Sequence, residues 1–216
     1  MKLLYISANP KPEEGSVCKT AARRFIQKCQ EQDSSLEIEE MDLFKEEIPE
    51  VDFNVFTHRA MTKQVNPNEQ FTQEDIQKID RINYLCDQFL SADKYVFAAP
   101  MWSLMFPGRM KNYIDCIIQH NKTIIINENE TKGLLDDKDR RMVYIQSSGG
   151  DYSGLITSRF DYGTDYMQTL FKFLGVKCFN SIPVEDTGLN NQGVASAMLD
   201  AEDEMNQVIP HFMVLQ

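Results

Sequence analysis

Three short segments carry residue types suited to holding a ligand. The first is Ser7, followed at the opening of a helical pattern by Ser16, Val17 and Cys18. A helix amino end there would offer aligned N–H groups and partial positive charge to a phosphate. Plain helix capping also accounts for Ser16. The second segment, Pro100-Met101-Trp102-Ser103-Leu104, sets large apolar groups directly after an apolar strand. A flat aromatic ligand, another subunit or ordinary packing could cover them. The third, Ser147-Ser148-Gly149-Gly150, joins hydroxyls to glycines that let a ligand come close to the backbone, although a Gly-Gly pair by itself also marks a simple turn.

Other chemistries fit less well. Cys18 and Arg24 have the Cys-x5-Arg spacing of cysteine-based phosphatases. The residues between them include no glycine and several strong helix formers, and no Asp-Pro general-acid dipeptide occurs in the chain. There is no Gly-x-x-x-x-Gly-Lys-Ser/Thr loop, no Gly-x-Gly-x-x-Gly and no Gly-x-Ser-x-Gly elbow. His58, His120 and His211 lack metal-ligand spacing. The 5 cysteines are scattered without a Cys-x-x-Cys pair, as expected of reduced thiols and neither a disulfide framework nor a metal site.

Apolar runs alternate with helical patterns to position these segments, the β-α-β rhythm of a parallel sheet with helices on both faces. Strands are predicted at 2–7, 36–43, 94–99, 141–147 and 176–182, five in all. Helices are predicted at 16–32, from Thr72 to Leu90, from Pro107 to Gln119, at 159–174 and at 194–208. Thr72 with Asp75 resembles a capping box, and Ile76, Ile79, Ile82, Leu85, Cys86, Phe89 and Leu90 follow as one buried stripe. Pro107 suits a first helical position, and Gly175 a helix C-cap. The stretch 123–135 reads as a hairpin, and 46–69 as a long excursion with little regular structure. The three ligand-suited segments then fall at strand ends, along the carboxyl edge where doubly wound sheets bind ligands.

The chain has 216 residues and is expected to form a single domain over 1–216. A formal charge of −11 argues against a nucleic-acid partner, which needs a basic face. No apolar stretch approaches the ~20 residues that span a bilayer, so no membrane partner is expected. The opening residues are better used as a strand than as a signal peptide, so a cytoplasmic location is expected and the sequons at Asn121 and Asn129 are read as chance matches.

At the three loops the chain resembles the FMN-dependent NADH-azoreductases, flavodoxin-like NAD(P)H:quinone oxidoreductases. The resemblance rests on Ala99-Pro100-Met101-Trp102 with Lys111-Asn112-Tyr113-Ile114-Asp115, then Gly133-Leu134 and Ser147-Ser148-Gly149-Gly150. Ala8-Asn9-Pro10 and Met41-Asp42-Leu43-Phe44 add to it. It implies a flavodoxin-like fold, bound FMN, NADH or NADPH as electron donor, and a homodimer whose subunits both shape the pocket. Ser7, Ser16, Val17 and Cys18 would face the ribityl phosphate. Pro100, Met101, Trp102, Ser103 and Leu104 would run along the isoalloxazine ring, and Ser147, Ser148, Gly149 and Gly150 would hold its other edge. Two electrons would pass by a ping-pong mechanism to a quinone or azo compound stacked by Trp102 and Leu104, with Tyr152 nearby. No side chain is expected to act as a catalytic nucleophile. Cys18 stands where the family usually has serine, Trp102-Ser103-Leu104 where it often has Tyr-Asn-Phe, Ile126 where an aromatic is common, and Ser148 where arginine is frequent. The acidic surface keeps open a flavodoxin-type electron carrier, and the departures at Cys18, Ser103 and Ser148 keep open a non-catalytic flavin-binding sensor.

Overall fold

A computed structural model describes residues 1–52, 55, 72–154, 156–188 and 191–214. In chain order the elements are β1 (Lys2–Ser7), α1 (Val17–Gln32), β2 (Glu37–Asp42), α2 (Gln73–Ser91), β3 (Lys94–Pro100), α3 (Gly108–Ile117), β4 (Ile124–Ile126), β5 (Thr131–Gly133), β6 (Arg141–Ser147), α4 (Tyr162–Leu174), β7 (Cys178–Val184) and α5 (Asn191–Phe212). The main sheet has five strands in the order β2-β1-β3-β6-β7, every neighbouring pair parallel. β1, β3 and β6 are buried almost throughout, as strands covered on both faces must be.

Alternation along β1 divides its side chains between two cores. Leu4, Ile6 and Ala8 pack with Ile82, Phe89, Tyr113 and Phe171 from α2, α3 and α4. Leu3 and Tyr5 pack with Phe25, Ile26, Met205 and Phe212 from α1 and α5. The predicted helices on both faces are therefore present. The chain leaves β1 toward β2 on one side and returns to β3 on the other, so the loops after β1 and β3 diverge and open a crevice.

Local chemistry sets most element ends. Thr72 and Asp75 form the expected capping box: the Asp75 N–H donates to Thr72 Oγ1 at 3.1 Å and the Thr72 N–H to Asp75 Oδ2 at 2.9 Å. Gly175 caps α4 with φ 105°, a left-handed value glycine takes without a steric cost. The predicted hairpin is β4 paired antiparallel with β5.

Several expectations need correction. Ile76, placed in the buried stripe of α2, is 42% exposed, because it lies on the first turn at the edge of that stripe. Pro107 is the N-cap of α3, not its first helical residue. The helix expected from 159 begins at Tyr162, after a 3-10 turn Thr157–Phe160, because Asp161 breaks the run. Its Oδ1 accepts from the Thr164 N–H at 3.0 Å and from Gln146 Nε2 at 2.8 Å. The last strand lies two residues later than predicted and ends on Pro183-Val184, since an edge strand tolerates a proline lacking N–H. The predicted excursion 46–69 falls largely outside the described residues.

Candidate functional site

The first loop begins at Ser7, whose carbonyl accepts from the Leu43 N–H at 2.9 Å, while the Ala8 N–H donates to the Ala98 carbonyl at 2.8 Å. Those bonds hold its root between β2 and β3. Ser16 caps α1, accepting from the Lys19 N–H at 3.4 Å and from Asn9 Nδ2 at 2.8 Å. The Val17 and Cys18 N–H groups have no intrahelical acceptor at this position, and the first turn contains no acidic residue. A hydroxyl, a carboxamide and a helix amino end thus converge on ground favourable to an anion.

Cys18 sits in that first turn with its thiol sealed below the loop, 3.3 Å from Ser16 Oγ and 3.5 Å from Asn9 Nδ2. It meets the site through its backbone, so the serine-to-cysteine difference does not alter a surface donor. Arg24 pairs with Glu202 of α5 at the surface. Six helical residues rotate a side chain by about 240°, which prevents Cys18 and Arg24 from forming one cradle. Cys18, Cys29, Cys86 and Cys116 are buried and Cys178 is half-buried, with burial pushing the Cys29 thiol up to about 12. Titration of the native protein with dithiobis(nitrobenzoate) should consume one thiol quickly, and all 5 after denaturation. Fast reaction of Cys18 would contradict the sealed placement.

The second loop is a tight turn. The Trp102 N–H donates to Met105 O at 2.6 Å, the Met105 N–H returns to Trp102 O at 3.0 Å, and Ser103 and Leu104 have φ of 52° and 66°. Two consecutive positive φ values are the pattern of a type I′ turn, usually built from glycine and asparagine. Holding such residues left-handed costs roughly 1–2 kcal/mol each, strain that concentrates at functional sites. The Met101 and Trp102 amides are consumed inside the protein, Met101 by Ser147 O at 2.7 Å. Among the described residues, the Ser103 and Leu104 amides donate to no protein acceptor. Packing covers part of this apolar loop, with Phe106 buried against Tyr166 at 5.6 Å between ring centroids. Trp102 stays 47% exposed, with Phe44 edge-on at 6.2 Å.

In the third loop, Ser147 ends β6 opposite Pro100 and Val184. The Ser148 N–H donates to Val184 O at 3.0 Å and its hydroxyl to Gly150 O at 2.8 Å. The loop after β7 clamps it, with the Asp186, Thr187 and Gly188 amides donating to the carbonyls of Gly150, Ser148 and Gly149. A Cβ at Gly149 or Gly150 would make ordinary contacts at 3.6 Å, so the protein's own packing does not demand glycine at either. Gly188 is the demanding position, where a Cβ would lie 2.7 Å from Gly149 O. Tyr152 packs against Gly150, half-buried. Burial pushes the nearby Glu185 carboxyl up, partly offset by a Tyr152 backbone hydrogen bond and reinforced by the Asp151 carboxyl.

The structure thus sets Ser7, Ser16, Val17 and Cys18 after β1, Pro100–Leu104 at the end of β3 and beyond it, and Ser147–Gly150 at the end of β6 and beyond it, on neighbouring strands along one edge of the sheet. Sequence reasoning missed Asn9, Gln146, Asp161 and Gly188, and missed Lys19, a buried lysine in an otherwise apolar helix face. Lys19 had a local signal, its place among Cys18, Ala21 and Ala22, and Asn9 had one in the Ala8-Asn9-Pro10 run that carries part of the resemblance. Among the described residues no cluster of histidine, cysteine or carboxylate could hold a metal ion. Nor is any described helix long and apolar enough to cross a membrane.

The family described as Flavodoxin-like fold matches residues 1–209. FMN-dependent NADH:quinone oxidoreductase 1 of Clostridium acetobutylicum is 41% identical over 213 residues, covering 99% of this chain and 96% of that protein. The FMN-dependent NADH:quinone oxidoreductase of Ruminiclostridium cellulolyticum is 42% identical over 187 residues, 87% of this chain and 88% of that protein. Among solved structures, an FMN-dependent NADH-azoreductase from Bacillus anthracis in complex with FMN superposes with a TM-score of 0.83 at 26% identity, covering 96% of this chain and 99% of that one.

Proposed function

The chain belongs to the family of FMN-dependent NADH:quinone oxidoreductases of flavodoxin-like fold, and from that premise we propose that it passes two electrons from NADH to quinones or azo compounds with FMN held across the three loops. Once bound, FMN would supply the two-electron redox chemistry that links the nicotinamide donor to the acceptor. The residues of the chain bind, orient and exclude water. Ser7, Ser16, Asn9 and the amides of Val17 and Cys18 would hold the phosphate. Pro100 to Leu104 would hold the ring, with the open amides of Ser103 and Leu104 as its hydrogen-bond donors. Ser147 to Gly150 border the other edge, where the two glycines leave room for close approach. Trp102 and Leu104 stack the acceptor, with Tyr152 beside it. Donor and acceptor use one crevice in turn, so turnover is ping-pong.

The observation that carries this reading is that open amides occur both at the start of α1, after β1, and in the Ser103–Leu104 turn, after the adjacent strand β3, beside a half-exposed Trp102. Its test is the visible spectrum after FMN loading and desalting, followed by anaerobic NADH. Retained flavin that bleaches with NADH and is reoxidised by a quinone is the expected result. Retained flavin that stays oxidised would indicate an electron carrier, and no retained flavin would remove the pocket as drawn.

The active form is proposed to be a cytoplasmic homodimer of one domain spanning 1–216. An apolar groove along α4, lined by Met105, Tyr162, Tyr166, Leu170 and Phe173, borders the second loop, and Tyr162 and Phe173 are exposed. Sedimentation equilibrium should return twice the 25.0 kDa chain mass, and Phe173→Glu should shift it to monomer. A wild-type monomer at micromolar concentration would end the dimer assignment.

A further inference from the structure

We propose that Phe44 is a positioning residue for acceptor stacking, fixing the angle of the Trp102 ring, and that the buried Lys19–Asp42 ion pair in turn fixes Phe44. The proposal rests on the function argued above and names a specificity device within that site. The Lys19 ammonium, on a residue only 5% exposed, donates to the Lys11 carbonyl and to Asp42 Oδ2, both at 2.9 Å. It therefore ties the first loop to the end of β2. The other carboxylate oxygen, Asp42 Oδ1, accepts from the Phe44 N–H at 3.1 Å, and the intervening Leu43 N–H donates to Ser7 O at 2.9 Å.

The backbone is thereby held at Leu43 and at Phe44 itself. That ring meets Trp102 edge-on, with an interplanar angle of 67°. Trp102 is otherwise half-exposed, at the entrance to a strained two-residue turn whose own hydrogen bonds fix its backbone and not its side chain. An exposed indole without a lateral neighbour samples several rotamers. Edge-to-face contact with Phe44 selects among them.

Trp102 is the only tryptophan in the chain, so its emission reports this one site. In flavin-free protein, Phe44→Leu should lower Trp102 fluorescence anisotropy and raise acrylamide quenching by roughly twofold, since it removes the ring while keeping an apolar side chain. Phe44→Tyr should restore both values to wild type. Lys19→Met and Asp42→Asn should each shift them in the same direction as Phe44→Leu without touching either ring. With FMN loaded, Phe44→Leu should raise KM for a bicyclic quinone by roughly 3- to 10-fold, the worth of an aromatic pair. Quenching in Phe44→Leu equal to wild type would overturn the proposal, as would equal shifts in Phe44→Leu and Phe44→Tyr. Unaltered Trp102 emission in a folded Asp42→Asn would overturn the ion-pair half. The fluorescence arm needs no flavin, so failure of this positioning and failure of the functional reading are separate results.

Discussion

Ser16→Asp is expected to abolish FMN retention while leaving the fold intact. Aspartate caps a helix as well as serine does, so the Lys19 N–H keeps its acceptor and α1 keeps its start. The same carboxylate stands at the helix amino end, where the structure gathers Asn9 Nδ2 and the first-turn amides. Unit charges 4 Å apart repel by about 4 kcal/mol at an effective dielectric constant of 20. A loss of about 100-fold in affinity, ~2.7 kcal/mol, is therefore a modest expectation. Quenching of flavin fluorescence gives the affinity, and a urea melt of the flavin-free variant checks that the protein is folded with a carboxylate at this buried position. Wild-type affinity in a well-folded Ser16→Asp protein would take the first loop out of the cofactor site.

Gly133→Ala should be the most damaging single methyl in the molecule's hairpin. A Cβ at Gly133 would lie 2.2 Å from the Cα, carbonyl carbon and oxygen of Leu174, all backbone atoms at the end of α4. No side-chain rotation relieves that contact. The hairpin cannot simply retreat, because the Leu135 N–H donates to Leu174 O at 2.7 Å and the Leu134 N–H to Thr123 O at 3.0 Å. The other surface is equally fixed, since Gly175 ends α4 with its N–H committed to the Lys172 and Phe171 carbonyls. A loss of ~3 kcal/mol is expected, the upper end for overpacking. The neighbouring exposed Lys132→Ala serves as control and should cost less than about 0.5 kcal/mol. A drop under 1 kcal/mol for Gly133→Ala would mean that hairpin and helix end separate more easily than their hydrogen bonds imply.

Wherever one residue type acts on its immediate neighbours, the structure was legible in advance. The run from Lys2 to Ser7 is the first strand to the residue, Ser16 is the cap of α1, and the Thr72–Asp75 box is formed. Ile124 to Ile126 around a polar turn is the hairpin. The errors fall where a distant partner overrode the local pattern. Asp161 sits inside a helix-like run, and the run breaks there because a side chain of β6, Gln146, completes the bonding of its carboxylate. Ser103 and Leu104 carry no glycine signal, and the turn they form is left-handed because the Trp102–Met105 backbone pair closes over them.

By itself the sequence determined most of the segments that are strands and helices, that an apolar loop follows a buried strand, and that the chain carries a formal charge of −11. These follow from side-chain period, capping chemistry and net charge, all properties of short stretches. Only the tertiary structure decided that β1 lies between β2 and β3, which brings the three loops to one edge. It alone paired Lys19 with Asp42, set Phe44 against Trp102, and brought Gly188 so near Gly149 that a Cβ on Gly188 would clash with the Gly149 carbonyl. The reason is physical: a local pattern fixes which way a side chain faces, and the partner it meets is chosen by the free energy of packing the whole sheet.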